Sequence, residues 1–428
     1  MSKITIRLCI AFITILGFES VQAQSNVLTY PFSFVKKPTS AQALNQGAYV
    51  MANNNSQNVA FVLQDFEHAD YVLTDSNFKV ISKFSLPAIQ TVFYYEPSKE
   101  EKLDYVGATV NGQTYNFVYL NRTFKTVGDK DFYDFRVETV YFSTKQAVPK
   151  QPLTIPAEEK LITKFSENNN FYVITAIDAS SSKIYRLASD GTVTVKQVGF
   201  SIPEENRKNV KQVVTKDAIT LMVPGKDNVK VISIGSIDFS VSTKTLDFPS
   251  AGIYSFDNKF FVVNTADKKV EVNIFDFDGR HLDKIEVNDE NYTKLAGNSG
   301  KNEDHKGSKG NEKSLDDLAS VLKAFGKSNP GISVERTRSN QYLVKIGTYE
   351  EPTPDAYRSI SFRLLVDPQT LKPVKGNPPE ATSIQVMNYI LDNPRKMTNQ
   401  FQFHNKQYYS FYEKDDEKYF IQSISIRK

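Results

Sequence analysis

The feature that most constrains the fold is a short closing segment that recurs along the chain, with the pattern apolar, polar, apolar, proline. It occurs as Phe84-Ser85-Leu86-Pro87, Leu153-Thr154-Ile155-Pro156, Phe200-Ser201-Ile202-Pro203 and Leu246-Asp247-Phe248-Pro249, with a proline-free relative at Ile285-Glu286-Val287-Asn288. The last residues of these segments are 69, 47, 46 and 39 residues apart. A recurrence at this spacing predicts a repeated supersecondary unit.

The stretches between the closing segments repeat as well, as four short apolar or aromatic runs separated by turn residues. Residues 160–198 contain the runs Leu161–Phe165, Phe171–Ile177, Ile184–Leu187 and Thr192–Val198. Residues 210–248 and 251–287 follow the same order, the latter with a hairpin at Asp278-Gly279, where glycine accepts the positive φ of a tight turn. Such runs predict strands. A sheet of four cannot bury both faces alone, so several must pack around an axis, and the predicted fold class is an all-β β-propeller.

This repeat resembles that of exported, sequence-divergent β-propeller proteins of bacteria, and the resemblance covers most of residues 26–428. The Gly-His and Trp-Asp marks of WD repeats are missing, since the chain has no tryptophan, and kelch-type double glycines are absent. The resemblance implies a central channel with binding at one mouth. It specifies no particular function.

The blade count rests on how the runs are grouped. Five units cover 40–87, 88–156, 157–203, 204–249 and 250–288, the second with an insertion near Glu96–Leu103. A sixth uses Ile332–Thr337, Gln341–Thr348, Tyr357–Val366 and Leu371–Val374, and a seventh uses Gln400–Asn405, Gln407–Glu413 and Lys418–Ile426. The N-terminal run Val27–Val35 supplies the fourth strand of the seventh and locks the ring shut, which removes exposed sheet edges. The sequence favours seven blades, with six as the alternative.

An insertion at about 289–331 interrupts this order. Residues 298–313 contain no apolar side chain and predict a flexible loop. A helix is predicted over 314–326, because Ser314 and Asp317 match a capping box and an apolar stripe follows at Leu315, Leu318, Leu322 and Phe325. The stripe must dock either on the rim of the propeller or in the groove of a partner, which makes residues 298–326 the candidate partner-contact element. A second helical stretch is predicted at Ser383–Leu391.

The first 23 residues predict a cleavable signal peptide. Lys3 and Arg7 precede the apolar run Leu8–Phe18, and Val21-Gln22-Ala23 offers small residues for cleavage before Gln24. Cleavage removes the only cysteine, Cys9, and leaves residues 24–428 as a single propeller domain. No later stretch has the roughly 20 apolar residues that a membrane span needs. The predicted location is the periplasm, the outer cell surface or the extracellular space.

Searches for chemical motifs assign no catalytic or binding residue, and predict no metal site and no cofactor. The chain has neither a phosphate-binding loop nor a Gly-x-Ser-x-Gly elbow. The four histidines, His68, His281, His305 and His404, are too far apart in sequence for a local zinc motif. Asp276-Phe277-Asp278-Gly279 resembles the opening of a calcium loop but lacks its later ligands, so a hairpin is favoured. Asp178, Asp190, Asp217 and Asp257 are predicted to stabilise turns.

The C-terminal segment is rich in aromatic side chains, which could stack on sugars or pack within strands. Packing is favoured, because aromatic residues suit the pleated surface of a closing blade. The residues concerned are Phe401, Phe403, Tyr408, Tyr409, Phe411, Tyr412, Tyr419 and Phe420.

Charge and motif content together set the functional prediction. The chain has 52 Lys and Arg against 49 Asp and Glu, with both signs mixed throughout, so no nucleic-acid partner is predicted. The favoured function is an exported, non-catalytic binding or scaffold protein of the bacterial cell envelope, with another envelope protein or a glycan as partner. The alternative is a secreted or periplasmic propeller hydrolase or lyase acting on glycans or lactones, so catalysis stays an open question in which the non-enzyme is favoured.

Overall fold

The computed structural model describes most of the chain after residue 24. The described residues are 25–32, 47–53, 55–65, 67–91, 103–121, 125–167, 169–214, 218–225, 227–247, 252–266, 268–306, 309–325, 330–337, 339–353, 356–379, 396–404, 406–413 and 417–423.

The described strands form seven antiparallel sheets, which we call blades 1 to 7. Blade 1 contains β2 (Gly47–Asn53), β3 (Asn58–Gln64), β4 (His68–Thr74) and β5 (Val80–Pro87). Blade 2 contains β6 (Leu103–Asn111), β7 (Thr114–Asn121), β8 (Lys125–Val127), β9 (Lys130–Tyr141) and β10 (Gln146–Pro156). Blade 3 contains β11 (Lys160–Glu167), β12 (Asn170–Ala176), β13 (Ser182–Ala188) and β14 (Val193–Val198), and blade 4 contains β15 (Lys211–Val214), β16 (Ala218–Pro224), β17 (Val229–Gly235) and β18 (Val241–Leu246).

Blades 5 to 7 complete the series. Blade 5 contains β19 (Gly252–Phe256), β20 (Lys259–Ala266), β21 (Lys269–Asp276) and β22 (His281–Asn288). Blade 6 contains β25 (Gly331–Arg336), β26 (Tyr342–Thr353), β27 (Ala356–Val366) and β28 (Pro373–Val374), and is extended by β23 (Lys301–Lys306) and β24 (Lys309–Ser314). Blade 7 contains β29 (Lys396–Phe403), β30 (Lys406–Glu413) and β31 (Lys418–Ser423), together with β1 (Ser25–Pro31). The helices are α1 (Glu204–Arg207), α2 (Tyr292–Ala296) and α3 (Leu318–Phe325), with a 3₁₀ turn at Ala88–Gln90.

The hydrophobic core lies between the blades rather than within any one of them. Separate clusters join blades 7 and 1, 1 and 2, 2 and 3, 3 and 4, 4 and 5, and 5 and 6. In blade 7, burial, with the charge of Glu335 on β25 of blade 6 adding to it, raises the pKa of Tyr409 of β30 to about 12. Each blade therefore buries its faces only against its neighbours, as the repeat predicts.

The first strands of most neighbouring blades contact one another on the inside of the ring, with β25 as this strand in blade 6. The hydroxyl of Tyr105 on β6 donates to the carbonyl of Val50 on β2 at 3.2 Å. Gly252 of β19 lies so close to β25 that a Cβ there would sit 2.9 Å from the Cα of Gly331. The protein is therefore a seven-bladed β-propeller, which confirms the predicted fold class.

Both ends of the described chain close the ring. β1 pairs antiparallel with β31 from Ser25 opposite Ser423 to Pro31 opposite Lys418, and becomes the outermost strand of blade 7. Leu28, Tyr30 and Phe32 are buried in the core between blades 7 and 1. The predicted closure by the N-terminal run is confirmed.

The prediction of a flexible loop over 298–313 is wrong. β23 and β24 form a hairpin, and β23 pairs with β27 from Lys301 opposite Ser361 to Lys306 opposite Ala356. Backbone hydrogen bonds to an existing sheet edge do not require apolar side chains, and the absence of apolar residues therefore misled the prediction.

The helix of the insertion is shorter than predicted. It starts after Asp317 rather than after Ser314, which belongs to β24. Asp317 Oδ1 accepts from the backbone N–H of Ser320 at 2.6 Å, the bond of an N-cap. Leu318, Val321 and Phe325 are buried in the core between blades 5 and 6. The apolar stripe therefore docks on the propeller itself, and its use as a partner-contact face is contradicted.

Replacing this N-cap should lower stability measurably. Asp317→Ala removes the acceptor of the Ser320 N–H and is expected to reduce the free energy of unfolding by about 1 kcal/mol. The neighbouring exposed carboxylate gives a matched control, Asp316→Ala, with an expected change within about 0.5 kcal/mol. Urea denaturation followed by circular dichroism measures both, and equal losses in the two variants would contradict the cap.

Several predictions lie outside the described residues: the signal peptide at 1–23, residues 96–102 of the insertion near Glu96–Leu103, and the helical stretch Ser383–Leu391. Within the described part of the chain, no helix combines the length and apolar character that crossing a bilayer requires.

Candidate functional site

The two ends of the propeller are built from different loops. At one end, here called the upper end, each inner strand begins, the second strand meets the third, and the fourth leads into the next blade. The opposite end carries the turns between the first and second strands and between the third and fourth. The recurring closing segments therefore deliver the chain to the upper end.

A cleft of about 600 Å³ opens at the upper end between blades 3 and 4. We call it the blade 3–4 cleft. Its apolar lining includes Ile177, Ile202 and Val223, and its volume lies within the roughly 300–1,000 Å³ that ligand sites occupy. Polar groups from both blades converge on this surface, which makes the cleft the candidate binding site.

Three basic side chains line the blade 3–4 cleft: Lys160, Arg207 and Lys230. Lys160 Nζ donates to the carbonyl of Ala157 at 3.1 Å, and Arg207 Nε donates to that of Ile202 at 3.0 Å. Within the described ranges, no carboxylate lies within ion-pair distance of any of the three basic groups. Three cations that are not ion-paired, beside an apolar surface, favour an anionic ligand.

The carboxylate that lines the cleft, Asp178, is engaged in its own turn. Its Oδ1 accepts from the backbone N–H groups of Ser180 and Ser181 at 2.7 and 2.8 Å and from the Ser180 hydroxyl, and its Oδ2 accepts from the Ser181 hydroxyl. The Ser181 hydroxyl and the other donors lower the pKa of Asp178 to about 2. Asp178 therefore stays ionised with its oxygen atoms occupied, and it is a poor general base.

The pKa of Asp178 gives a direct test of this turn. Carboxyl carbon NMR should show Asp178 titrating at about 2, and the double variant Ser180→Ala, Ser181→Ala should move that value upward toward the ordinary Asp value of roughly 3.9. Because the folded pKa is depressed, the stabilising contribution is present above the unfolded value and is lost as the pH falls toward 2. An unchanged titration in the double variant would contradict the assignment of the hydroxyl donors.

Two of the three basic residues occupy equivalent positions of the repeat. Lys160 and Arg207 each follow a closing proline, Pro156 and Pro203, by four residues. Pro203 has φ −53° and leads into the single turn α1, which ends at Arg207. The equal spacing from a closing proline relates Lys160 to Arg207 in the sequence, but only the packing of blade 3 against blade 4 brings Lys230 to the same cleft.

The four histidines lie on four different sheets. His68 Nδ1 contacts Asp65 Oδ1 at 3.0 Å, and His281 Nε2 lies 3.3 Å from Asn273 Oδ1. His305 belongs to β23, and His404 to the turn between β29 and β30. In the part of the chain that the structure describes, no three His, Cys, Asp or Glu side chains gather as a metal site would require.

The segment that resembles a calcium loop is a hairpin turn between β21 and β22. Asp276 Oδ1 accepts from the N–H groups of Asp278 and Arg280 at 3.1 and 2.7 Å, and Gly279 has φ +74°. Asp190 likewise accepts from the N–H of Thr192 at 2.8 Å. Asp217 lies outside the described residues.

Asp257 differs from the other turn aspartates. Its backbone is in a left-handed turn with φ +50°, but its carboxylate reaches blade 6, where Arg336 donates to it at 2.6 Å and the Tyr342 hydroxyl donates as well. The ring of Tyr342 also lies near Arg336 and Lys259, at 5.2 and 5.8 Å from its centroid. Asp257 therefore joins blades 5 and 6 in addition to turning the chain.

The C-terminal aromatic residues pack within blade 7 and against its neighbours. The side chains of Phe403, Phe411 and Tyr419 are fully buried, and Phe401 stacks on Tyr408 with 5.6 Å between ring centroids. The favoured packing interpretation is confirmed for these residues.

A buried polar cluster lies between blades 1 and 2. The Tyr71 hydroxyl on β4 donates to Glu138 Oε1 on β9 at 2.8 Å, and neither side chain is exposed to solvent. Burial, and then the negative charge of Glu138, raise the pKa values of Tyr71 and Tyr119 well above their usual 10. The cluster forms part of the contact between the two blades.

The fold and the cleft define a seven-bladed β-propeller with a cation-lined cleft between two blades. No family model matches the chain, and no curated protein matches it. Among solved structures it is similar to the β-propeller domain of the Trilobed protease from Pyrococcus furiosus, at 9% identity and TM-score 0.39 over 89% of this chain and 94% of that one. It is also similar to the Dos1 propeller, at 7% identity and TM-score 0.39 over 95% and 96% of the two chains. Likeness this remote carries no inference about activity, ligand or partner.

Proposed function

We propose that this protein is an exported, non-catalytic binding protein of the bacterial cell envelope, and that its ligand site is the blade 3–4 cleft. The observation that carries the proposal is the set of three basic side chains, Lys160, Arg207 and Lys230, around an apolar lining without a paired carboxylate among the described residues. The carboxylate of the cleft, Asp178, is held ionised by its own turn. This arrangement suits holding an anion better than transferring a proton.

The position of the closing strand supports the export part of the proposal. β1 begins at Ser25, two residues after the predicted cleavage point at Ala23. Removal of residues 1–23 would therefore leave all four strands of blade 7 in place.

Cell fractionation of the native host tests the export step. The chain is expected in the envelope or medium fraction, with the mass of a chain that begins at Gln24. A full-length chain that starts at Met1 and stays in the cytoplasm would contradict the proposal.

Site-specific photo-cross-linking in the native host tests the binding site. A photoreactive residue at Ser201, which lines the cleft, should give a discrete adduct that is lost when Arg207→Glu and Lys230→Glu are added. The same photoreactive residue at Val195, exposed on the outer strand of blade 3, serves as the matched control. The same adduct from both positions, or an adduct that survives the double substitution, would contradict the assignment of the cleft.

No observation on the described residues favours the alternative of a hydrolase or lyase acting on glycans or lactones, which stays a prediction.

A further inference from the structure

Blades 3 and 4 carry a lysine at the same place in the repeat. Lys183 is the second residue of β13, and Lys230 is the second residue of β17. Across the ladder, Lys183 pairs with Thr175 of β12, and Lys230 pairs with Val223 of β16. The two lysines therefore start from equivalent backbone positions, and their surroundings can be compared directly.

In blade 3 the lysine has an internal carboxylate. Glu159, three residues after the closing Pro156, forms an ion pair with Lys183 and is itself buried. The hydroxyls of Thr175 and Tyr185 also donate to Glu159, at 2.7 and 2.8 Å. These donors outweigh the cost of burial and hold the pKa of Glu159 below its usual value. The site is thus built around a carboxylate.

In blade 4 the lysine is kept as Lys230, whereas the carboxylate and its two hydroxyl donors are replaced by uncharged side chains. Asn206 is three residues after the closing Pro203, where blade 3 has Glu159. Val223 replaces Thr175, and Ile232, on the strand of Lys230, replaces Tyr185. The nearby carboxylates Glu204, Glu205 and Asp227 are exposed and do not line the cleft. Asn206, Val223 and Lys230 all line the blade 3–4 cleft, so the cleft contains the blade 4 counterparts of Glu159, Thr175 and Lys183.

We propose that the blade 3–4 cleft binds a carboxylate of an acidic peptide segment from a partner protein, which pairs with Lys230 as Glu159 pairs with Lys183 in blade 3. The inference rests on the proposed function and specifies its ligand. Arg207 and Lys160 lie on the same cleft and are available to a second carboxylate of the segment. A peptide then fills in blade 4 the position that the chain fills for itself in blade 3.

The rest of the lining favours a peptide over a glycan. Of the aliphatic residues of the lining, the partly exposed Ile177 offers contact to a side chain such as leucine, while Ile202 and Val223 are buried. No aromatic side chain is among the described residues of the cleft, whereas recognition of a sugar commonly uses an aromatic platform. Aliphatic contact beside cations fits a segment in which leucine and glutamate alternate.

Fluorescence anisotropy with two labelled hexapeptides tests the ligand class. The first alternates leucine and glutamate, and the second has glutamine in place of every glutamate. The acidic peptide is expected to bind at least tenfold more tightly, since hydrogen bonds to charged groups are about twice as strong as neutral ones. Its affinity should fall as salt is added, because salt screens exposed charges. Equal binding of the two peptides would overturn the proposal.

Asn206→Glu tests the comparison of the blades. It supplies blade 4 with the carboxylate that Glu159 supplies to blade 3, and is expected to weaken binding of the acidic peptide at least tenfold without lowering the thermal midpoint. Asn206→Gln, which has the same shape without the charge, is the matched control and should stay within about twofold, since no charge is added. Wild-type affinity in the glutamate variant would overturn the proposal, as would an equal loss in the glutamine variant.

Competition separates other sources of negative charge. Excess inorganic phosphate or an oligogalacturonate should displace the acidic peptide only weakly. Displacement by either at lower concentration than the unlabelled peptide would overturn the peptide assignment in favour of a phosphate or glycan site.

The failure of this inference differs from the failure of the proposed function. A cleft adduct in cells combined with equal affinity for the two peptides removes the carboxylate inference and keeps the binding role. Selective binding of the acidic peptide without a cleft adduct in cells keeps the carboxylate inference and removes the binding role in cells.

Discussion

Replacing Leu28 and Phe32 by alanine is expected to lower the free energy of unfolding by about 5 kcal/mol or more. Both side chains are buried between blades 7 and 1, on or directly after the strand that closes the ring. Their loss leaves cavities at the one blade that is assembled from both ends of the described chain. Urea denaturation followed by circular dichroism measures the change.

The same strand offers a matched control. Thr29 lies between Leu28 and Tyr30 in β1 but is exposed, so Thr29→Ala should change the free energy of unfolding by less than about 1 kcal/mol. If the double core variant unfolded at the same urea concentration as Thr29→Ala, the N-terminal strand would not be the clasp of the ring.

Removing one hydroxyl between blades 1 and 2 is expected to cost about 2 kcal/mol. Tyr71→Phe keeps the ring, which stacks on Phe84 with 4.8 Å between centroids, but deletes the hydrogen bond to Glu138 at 2.8 Å. The cost arises because Glu138 stays buried and loses a donor. Chemical denaturation of the single variant and of Glu138→Gln, with the double variant completing the cycle, measures the coupling of the pair.

Tyr141→Phe is the control for the loss of a tyrosine hydroxyl. Tyr141 is at the end of β9 and only half-buried, so its loss should change the free energy of unfolding by less than about 0.5 kcal/mol. Independent, additive effects of Tyr71→Phe and Glu138→Gln would show that the buried pair does not join the blades energetically.

The repeat made most of the fold predictable. Proline has no backbone N–H, and it therefore suits the end of an outermost strand, where Pro87 and Pro156 end β5 and β10. The turns were predictable for a similarly local reason, since Asp178, Asp190 and Asp276 bond backbone groups within a few residues. Local chemistry of this kind is readable without knowledge of the neighbours.

Predictions failed where backbone pairing or a competing cap decided the outcome. The polar residues of β23 and β24 form strands because the edge of β27 offers hydrogen-bond partners, which no property of 301–314 reveals. The helix start moved to Asp317 because β24 extends to Ser314 and removes it from the helix. In both cases pairing with another strand decided the structure of residues whose local pattern indicated something else.

The sequence by itself determined the four-strand unit, favoured seven repeats of it over six, and predicted the N-terminal run as the last strand, because these depend on apolar alternation and turn residues that are local to each blade. The candidate site depended on the tertiary structure. Lys160, Arg207 and Lys230 are unremarkable cations along the chain, and they share a cleft only because the packing of two blades places a strand start, an inter-blade turn and a third strand side by side. Contacts between blades join residues far apart in sequence, and their meeting is set by the closure of the whole ring.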